Sequence, residues 1–545
     1  MSNTQLNPPT SIRPFIAKSI LYALFFSAVL LRIVYLGYST LYHGEAENGQ
    51  SAAYVLPYLK QYNFIEAIWQ SWHIFPNQSN HFAQSLAINV PLAWFFGLNE
   101  FIIRVNAALG GVLSAVVVYV LVKRHSNQIT ALVALALITF NPYLIIFNRF
   151  GFIDSLQISC VLLGLLLLDI YIEDKRKIIY IFISSLCFSL SFLIKLNSII
   201  SISIFLILYL YYYKLTFKDI FLISIIASIF IYFLFFDQID MLHMSIMKQA
   251  GFSTLTQVSL SNPFSIIKDL LSGVVFNVTA HARYFELTAL PLIVSLLFWR
   301  KIDNKFFNLL ILFSVFYFAV LVFQGRYFFR YFQIGVITSS IALAFPLSYL
   351  FTKRHYYIGI IMLTIFMSWN LFTHRSYVSA VFHHIPYKYI EKRANEIRGD
   401  GRIMIYGRNS ESEYYLSPTN NLIFDETINL AEVKVPLFNS DYPTWPNVVR
   451  KIPPERDILL DDITVQSGDV VVIHGMHMNG GEPAPRLHGY DGRGFRVYRH
   501  DLSIPQEFHN SYIDDSELPK VYKIEEKIYL TNGSNELAAL ILRKY

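Results

Sequence analysis

The sequence predicts a mainly α-helical, polytopic membrane protein that ends in an α/β domain. Hydrophobic residues make up 54% of its 545 residues and charged residues only 15%, whereas about a quarter of a soluble domain is charged. Apolar runs of membrane-spanning length recur as far as residue 374, and strand-like runs divided by turn residues follow them. We therefore expect a membrane domain of residues 1–374 and an α/β domain of residues 375–545.

About eleven apolar segments approach the length that a transmembrane helix needs, roughly 20 residues. The first, residues 15–36, lacks a small-residue cleavage site and is predicted to remain as a span. The other ten are predicted at 105–122, 129–147, 152–172, 178–194, 197–213, 219–236, 284–299, 306–323, 331–351 and 356–374. Residues 37–104 are predicted to contain juxtamembrane helices, because their apolar run at 83–97 is short and interrupted by Pro91.

Basic residues alternate between the loops and predict the orientation of the chain. One set of loops is rich in them: Lys123, Arg124, Lys175, Arg176, Lys177, Lys214, Lys218, Arg300, Lys301, Lys305, Lys353 and Arg354. The opposite short loops carry only Arg149, Lys195, Arg326 and Arg330. The positive-inside rule then places the protein in the cytoplasmic membrane, with its N-terminus in the cytoplasm and its C-terminal domain outside.

The same distribution of charge argues against a nucleic-acid partner. Up to residue 374 the chain has 24 Lys/Arg and 14 Asp/Glu, but after it 20 and 24. A basic excess confined to the ends of apolar spans is typical of membrane orientation and not of a nucleic-acid surface.

Several common kinds of site are not indicated. Both cysteines, Cys160 and Cys187, lie in apolar runs, so no disulfide framework is expected. His474, His477 and His488 lack further ligands at the usual zinc spacing. No glycine-rich phosphate loop or dinucleotide fingerprint is present.

Two carboxylates, Glu45 and Glu47, follow the first span, in a loop that the orientation places outside the cytoplasm. A carboxylate at the mouth of an apolar bundle is costly to desolvate, which suggests a partner or a catalytic task; capping a surface helix is an equally open interpretation. Charged residues of the other outer loops can complete one polar site: Arg149, Asp154, Lys195, Arg326 and Arg330. Snorkelling, with an Arg149–Asp154 pair, is the alternative; for Arg32 we expect snorkelling only.

A long outer segment, residues 237–283, exceeds the usual length of a connection. Loops of this size are often lids or binding loops. Its last residue, Arg283, is placed to reach a lipid phosphate or to anchor the interface.

Four motifs in order carry a family resemblance. They are H-G-E-A-x-x-G-x-x-A at 43–52, P-L-A-W-F-F-G-L-N-E-F-I-I-R at 91–104, N-P-Y-L-I-I-F-N-R-F-G-F-I-D at 141–154 and F-L-I-K at 192–195. Over about residues 15–375 the chain resembles membrane glycosyltransferases of the GT-C fold. More narrowly, it is similar to the protein mannosyltransferase and aminoarabinose transferase relatives (glycosyltransferase family 39-like) and to lipopolysaccharide-core transferases.

The resemblance implies a glycosyltransferase that uses a polyprenyl-phosphate-linked sugar on the outer face of the membrane. The acceptor would be an envelope glycan, lipid or protein, and membrane lipids would surround the site. The family's first-loop motif usually reads Asp-Glu-Ala, but here Gly44 occupies the Asp position. Glu45 or Glu47 would then take over as base, or activity has been lost or altered.

Other positions that match the family motifs receive roles by the same resemblance. Asp154 matches the second-loop acidic residue. Arg149, Lys195 and Arg330 match basic residues of the family and would hold the donor phosphate. Arg326 and Arg283 do not match a family motif; they are added to this set because the orientation places them on the same face of the membrane. A divalent metal ion held by Glu45 and Asp154 could serve the departing phosphate as well.

Two other functions remain open from the sequence. A transporter or flippase of a lipid-linked intermediate would also need charges in a bundle, but it should show internal repeats and broken midplane helices, and the sequence indicates neither. A non-catalytic member that binds envelope glycan through the C-terminal domain is favoured by Gly44.

The orientation is testable with reporter fusions. A reporter that functions only in the cytoplasm should be active when it is fused after Lys177. A reporter that functions only outside the cytoplasm should be active when it is fused after Thr373. Reversed activity at either position would show that residues 83–97 cross the membrane, which would separate Glu45 from Asp154.

Overall fold

The computed structural model describes separate parts of the chain, which form two compact units. Its described residues are 14–36, 52, 56, 60–67, 90–151, 153–173, 177–235, 282–323, 332–352, 355–382, 387–399, 401, 403–406, 448–450, 467–468, 470–474, 522–529 and 537–545. The first unit comprises Met1–Val34, Phe75–Ala87 and Val105–Thr373, and the second Tyr35–Ile74, Ile88–Arg104 and His374–Tyr545.

The described helices follow the predicted apolar segments closely. They are α1 (Pro14–Ile33), α2 (Val90–Phe96), α3 (Glu100–His125), α4 (Gln128–Thr139), α5 (Pro142–Arg149), α6 (Asp154–Glu173), α7 (Ile178–Ile194), α8 (Ser198–Tyr213), α9 (Phe217–Phe235), α10 (Ala282–Phe298), α11 (Lys305–Phe323), α12 (Gln333–Thr352), α13 (Tyr356–Phe382) and α14 (Tyr387–Arg398). Every predicted span therefore contains a described helix.

Among the described residues, four helices are long and apolar enough to cross a membrane: α1, α3, α6 and α12. The pair α4 and α5 makes five if it counts as one span. The mainly helical, membrane-capable fold class is confirmed at this level, and the number of eleven spans stays a prediction.

Helix α12 lies at the centre of the first unit. It contacts α4, α6, α10 and α11, and 89% of its most apolar window is buried, against 22% for α1. Its hydroxyls bond to its neighbours, since Thr130 of α4 donates to Ser348 at 2.8 Å and Ser314 of α11 shares a 3.0 Å bond with Thr338. Such bonds satisfy polar groups that lack water in an apolar interior.

A break divides α4 from α5, and the two helices are bent by 58°. The sequence explains the break, because Pro142 begins α5 and Asn141 caps it by accepting from the Leu144 amide at 3.2 Å. The sequence analysis did not predict this break. The missed signal is the dipeptide Asn141-Pro142 inside a continuous apolar run.

The second unit contains α2, α14 and a sheet of five described strands. They are β1 (Ile403–Tyr406), β2 (Val448–Arg450), β3 (Val470–His474), β4 (Tyr522–Tyr529) and β5 (Leu537–Lys544), in the order β2-β1-β3-β5-β4. The first three are mutually parallel, and β5 pairs antiparallel with both β3 and β4. Three of the strands coincide with the strand-like runs at 402–407, 469–475 and 537–543.

Helix α14 packs on this sheet against β1, β3 and β5. An ion pair fastens it, with Arg393 Nε 2.8 Å from a Glu526 carboxylate oxygen. At the starts of β1 and β3 the backbones of Gly401 and Gly468 lie so close that a side chain on Gly401 would collide with the Gly468 carbonyl. Glycine is required at that position for this reason.

Candidate functional site

A buried ion pair joins Asp154 and Lys195 at one end of the first unit, which we call the Asp154 end. Asp154 begins α6, and Lys195 follows the last residue of α7, the helix that packs along α6. The Lys195 ammonium contacts the Asp154 carboxylate, and the two residues are 2% and 1% exposed. Each charge lies at the favourable end of a helix, the anion at an N-terminus and the cation at a C-terminus.

A second polar group lies beside this pair. Ser155 Oγ lies 2.9 Å from Asn148 Oδ1, at the end of α5, and 3.3 Å from the side-chain amide of Gln333, at the start of α12. The Ser155 hydroxyl has one proton and donates it to the nearer acceptor, Asn148 Oδ1. Its contact with Gln333 is with Oε1, and it would become a hydrogen bond if the amide were turned to present its nitrogen. Gln333 is 1% exposed, and the sequence analysis missed it.

Two glycines of α3 allow this group to pack so closely. A Cβ on Gly110 would lie 2.8 Å from the Ser155 backbone, and one on Gly111 would overlap the Asn148 side chain. Helix α3 therefore touches the start of α6 and the end of α5 through its bare backbone. Small residues at a helix contact permit this approach in membrane bundles.

Two arginines hold the bent pair α4 and α5 against α1. Arg32 of α1 donates through Nη2 to the carbonyl of Ile138 at 3.2 Å and through Nη1 to that of Thr139 at 3.5 Å. These carbonyls belong to the last turn of α4, where the break leaves them without helical partners. Arg149, at the other end of α5, donates to the carbonyls of Leu31 and Val34 at 3.0 and 2.8 Å.

Snorkelling therefore does not describe Arg32, which is fully buried. The guanidinium caps a helix C-terminus inside the bundle, where the helix dipole favours a cation. Sequence analysis could not see this, because the break is more than 100 residues along the chain from Arg32.

The predicted site residues are described to different extents. Asp154, Lys195 and Arg149 all lie at the Asp154 end. Arg283 lies in the first turn of α10, but only its backbone is described. The others lie outside the described residues: Glu45, Glu47, Arg326 and Arg330.

For a metal at the Asp154 end, the described residues offer one ligand, the Asp154 carboxylate, and the Lys195 ammonium already contacts it. A second group of metal-binding residue types lies at the opposite end of α6: His125, Asp169 and Glu173. His474 ends β3, and His477 and His488 lie outside the described residues.

Residues 90–237 match the family model described as dolichyl-phosphate-mannose-protein mannosyltransferase. The match covers α2 to α9 and includes Asp154 and Lys195. It confirms, for this part of the chain, the resemblance that the motifs indicate. No curated protein sequence matches the chain.

Solved structures of membrane glycosyltransferases show a distant likeness. The Archaeoglobus fulgidus oligosaccharyltransferase in the apo form matches with TM-score 0.43 and 14% identity, over 75% of this chain and 64% of its own. ArnT from Cupriavidus metallidurans bound to undecaprenyl phosphate matches with TM-score 0.43 and 11% identity, over 74% and 84%. The chain spans less than two thirds of the length of the oligosaccharyltransferase.

Replacing Arg32 by Leu should destabilise the protein by about 1–3 kcal/mol, because it leaves the α4 carbonyls without a donor in an apolar interior. Thermal unfolding in detergent measures the loss. Arg300→Leu is the matched control, since Arg300 is exposed at the end of α10. Equal melting temperatures for Arg32→Leu and wild type would show that the break needs no cap.

Proposed function

We propose that this protein transfers a sugar from a polyprenyl-phosphate-linked donor to an envelope glycan, lipid or protein on the outer face of the cytoplasmic membrane. The observation that carries the proposal is the buried Asp154–Lys195 pair at one end of an apolar bundle. Buried charges in such bundles are costly and are usually functional. The match of residues 90–237 to a mannosyltransferase family supports the reaction class.

Sugar transfer makes two demands on the site. The acceptor hydroxyl must lose a proton as it attacks the anomeric carbon, and we assign this task to Glu45, with Glu47 as the alternative base. Negative charge develops on the departing lipid phosphate, and fixed basic groups stabilise it. For this we assign the basic residues predicted from the sequence: Lys195, Arg149, Arg283, Arg326 and Arg330.

Burial distinguishes the described members of this set. Arg149 is partly exposed and is held by the end of α1, so it is suited to meet a phosphate at the surface. A planar guanidinium also matches phosphate oxygens in pairs. Lys195 is buried against Asp154, so its direct contact with a phosphate requires the ammonium to be shared between the two anions. We propose that Asp154 orients Lys195 for this sharing.

The break between α4 and α5 favours a second candidate, a transporter of the lipid-linked intermediate. Transporters often bind substrates at broken helices whose backbone groups face a cavity. Here, however, the carbonyls at the break are bonded to the buried Arg32, so they are occupied by the protein itself. Labelled lipid-linked sugar in reconstituted vesicles separates the two functions, since transport moves it across the membrane without a labelled acceptor.

Glu45→Gln should lower turnover by roughly 10²–10⁴-fold, because the amide keeps the size and hydrogen bonding of the carboxylate but cannot take the proton. Donor affinity should stay near the wild-type value. Transfer of radiolabel from a panel of polyprenyl-phosphate sugars measures turnover, and donor binding is measured separately. Glu47→Gln is the matched control. A fully active Glu45→Gln beside an inactive Glu47→Gln would move the base by two residues, and full activity in both would remove this loop from catalysis.

A double variant can show whether the Asp154–Lys195 pair contributes to donor binding or only to the stability of the fold. Lys195→Met alone should destabilise the fold by about 3–5 kcal/mol, because it leaves the Asp154 carboxylate buried without its partner. Adding Asp154→Asn removes that charge and should recover most of the melting temperature.

If the pair serves the donor, the stable double variant should still bind the lipid-linked sugar about 10-fold or more weakly, since it has lost a charge-assisted contact. Thermal unfolding and donor binding are measured on the same preparations. Wild-type donor affinity and turnover in the double variant would make the pair a packing feature only.

A further inference from the structure

A compact polar cluster lies at the end of the first unit opposite the Asp154 end. His125 and Arg124 end α3, and Asp169 and Glu173 lie in the last turns of α6. The ligand atoms of His125, Asp169 and Glu173 all lie within 4.8 Å of one another. This is the spacing at which one nitrogen and two carboxylate oxygens can share a cation.

The imidazole of His125 is the informative group. Its Nε2 lies 2.9 Å from Asp169 Oδ1, and its side chain is only 7% exposed. Nevertheless, Nε2 forms no hydrogen bond with any described residue, so the N–H direction misses the carboxylate. The buried nitrogen therefore faces a carboxylate oxygen without a hydrogen bond to it, and a cation bound to both atoms would complete this arrangement.

The other ring nitrogen supports this assignment. Nδ1 lies 3.3 Å from the Tyr213 hydroxyl at the end of α8. If Nδ1 carries the proton and donates it to Tyr213, Nε2 is left with the lone pair that a metal needs. Hydrogen bonding of the outer nitrogen is the usual way in which proteins orient a histidine ligand.

The ring is also held in place before any ion binds. Phe306 stacks on it at a centroid distance of 4.4 Å and an angle of 20°. Asn304 donates to the His125 carbonyl at 2.8 Å. The imidazole therefore has a fixed orientation, which lowers the cost of ordering a ligand.

Arg124 contacts both carboxylates of the cluster. Its Nε lies 2.8 Å from Asp169 Oδ2, and its Nη2 contacts Glu173 Oε2. Each carboxylate thus has a second oxygen that can bind a metal ion, and Arg124 is an outer partner that fixes the orientation of both carboxylates. Two carboxylates and one guanidinium leave the cluster with a net charge of −1 when His125 is neutral, which still favours a cation.

We propose that His125, Asp169 and Glu173 bind one divalent transition-metal ion of the zinc class, with water as the fourth ligand, and that this ion links α3 to α6. Imidazole nitrogen and carboxylate oxygen are both ligands that zinc accepts, and the imidazole disfavours the hard ions Mg²⁺ and Ca²⁺. Along α6 the cluster is about 22 Å from Asp154, so the ion takes no part in chemistry at the Asp154 end. The inference does not depend on the proposed function.

Zinc binding to the full-length, tag-free protein in detergent tests the proposal. After dialysis against a chelator, titration with Zn²⁺ alone should show one site per chain and raise the melting temperature. Co²⁺ in its place should give the intense visible absorption of a tetrahedral ion. Absence of stoichiometric binding, or an octahedral cobalt spectrum, would overturn the proposal.

Variants locate the site. His125→Asn should abolish stoichiometric binding, and Glu173→Gln, at a largely exposed side chain where misfolding is not expected, should weaken it at least 10-fold. Tyr213→Phe, which removes only the outer partner, should weaken it about 10–100-fold. His355→Asn, at an exposed histidine outside the cluster, should bind as the wild type does. Unchanged binding in both His125→Asn and Glu173→Gln would show an adventitious ion only.

Discussion

Hydrogen bonds from Arg32 to the carbonyls at the end of α4 make the bent course of the chain possible. A break in a helix exposes backbone groups, and an apolar interior offers them no water. Here the missing partners come from α1, which precedes the break by more than 100 residues. In return, Arg149 at the far end of α5 donates hydrogen bonds to carbonyls at the end of α1. The direction of α5, and with it the position of Asn148 beside Ser155, depends on this exchange between helices.

At the Asp154 end too, buried polar groups are paired with other groups of the protein. Lys195 and Asp154 neutralise each other, and the Ser155 hydroxyl joins α5 to α12 through Asn148 and Gln333. Contact between the Lys195 ammonium and a substrate would therefore require a rearrangement of its bond to Asp154. In the proposed reaction the Lys195 ammonium is shared between the Asp154 carboxylate and the donor phosphate.

Sequence patterns predicted the helices of the first unit well, since apolar length and the charged ends of spans are local properties. They also brought Asp154 and Lys195 to one end, because the positive-inside rule orders loops even when their contacts are unknown. Sequence patterns could not predict the roles of three features: Gln333, the buried Arg32 and the cluster around His125. The reason is the same for all three. Each depends on partners 44 to 178 residues away, and a lone polar residue in an apolar run carries no sign of its partner.

Helix α6 has a consequence that reaches along its whole length. It is an unbroken helix of 20 residues, with its first residue paired to Lys195 and its last turns held by Arg124 and His125. If a change of partners at one end displaces α6 along its axis, it also alters the fit at the other end. Thermodynamic linkage would then make the influence mutual: a ligand that binds Asp169 and Glu173 would shift the balance of partners at Asp154, and the reverse would hold with equal free energy.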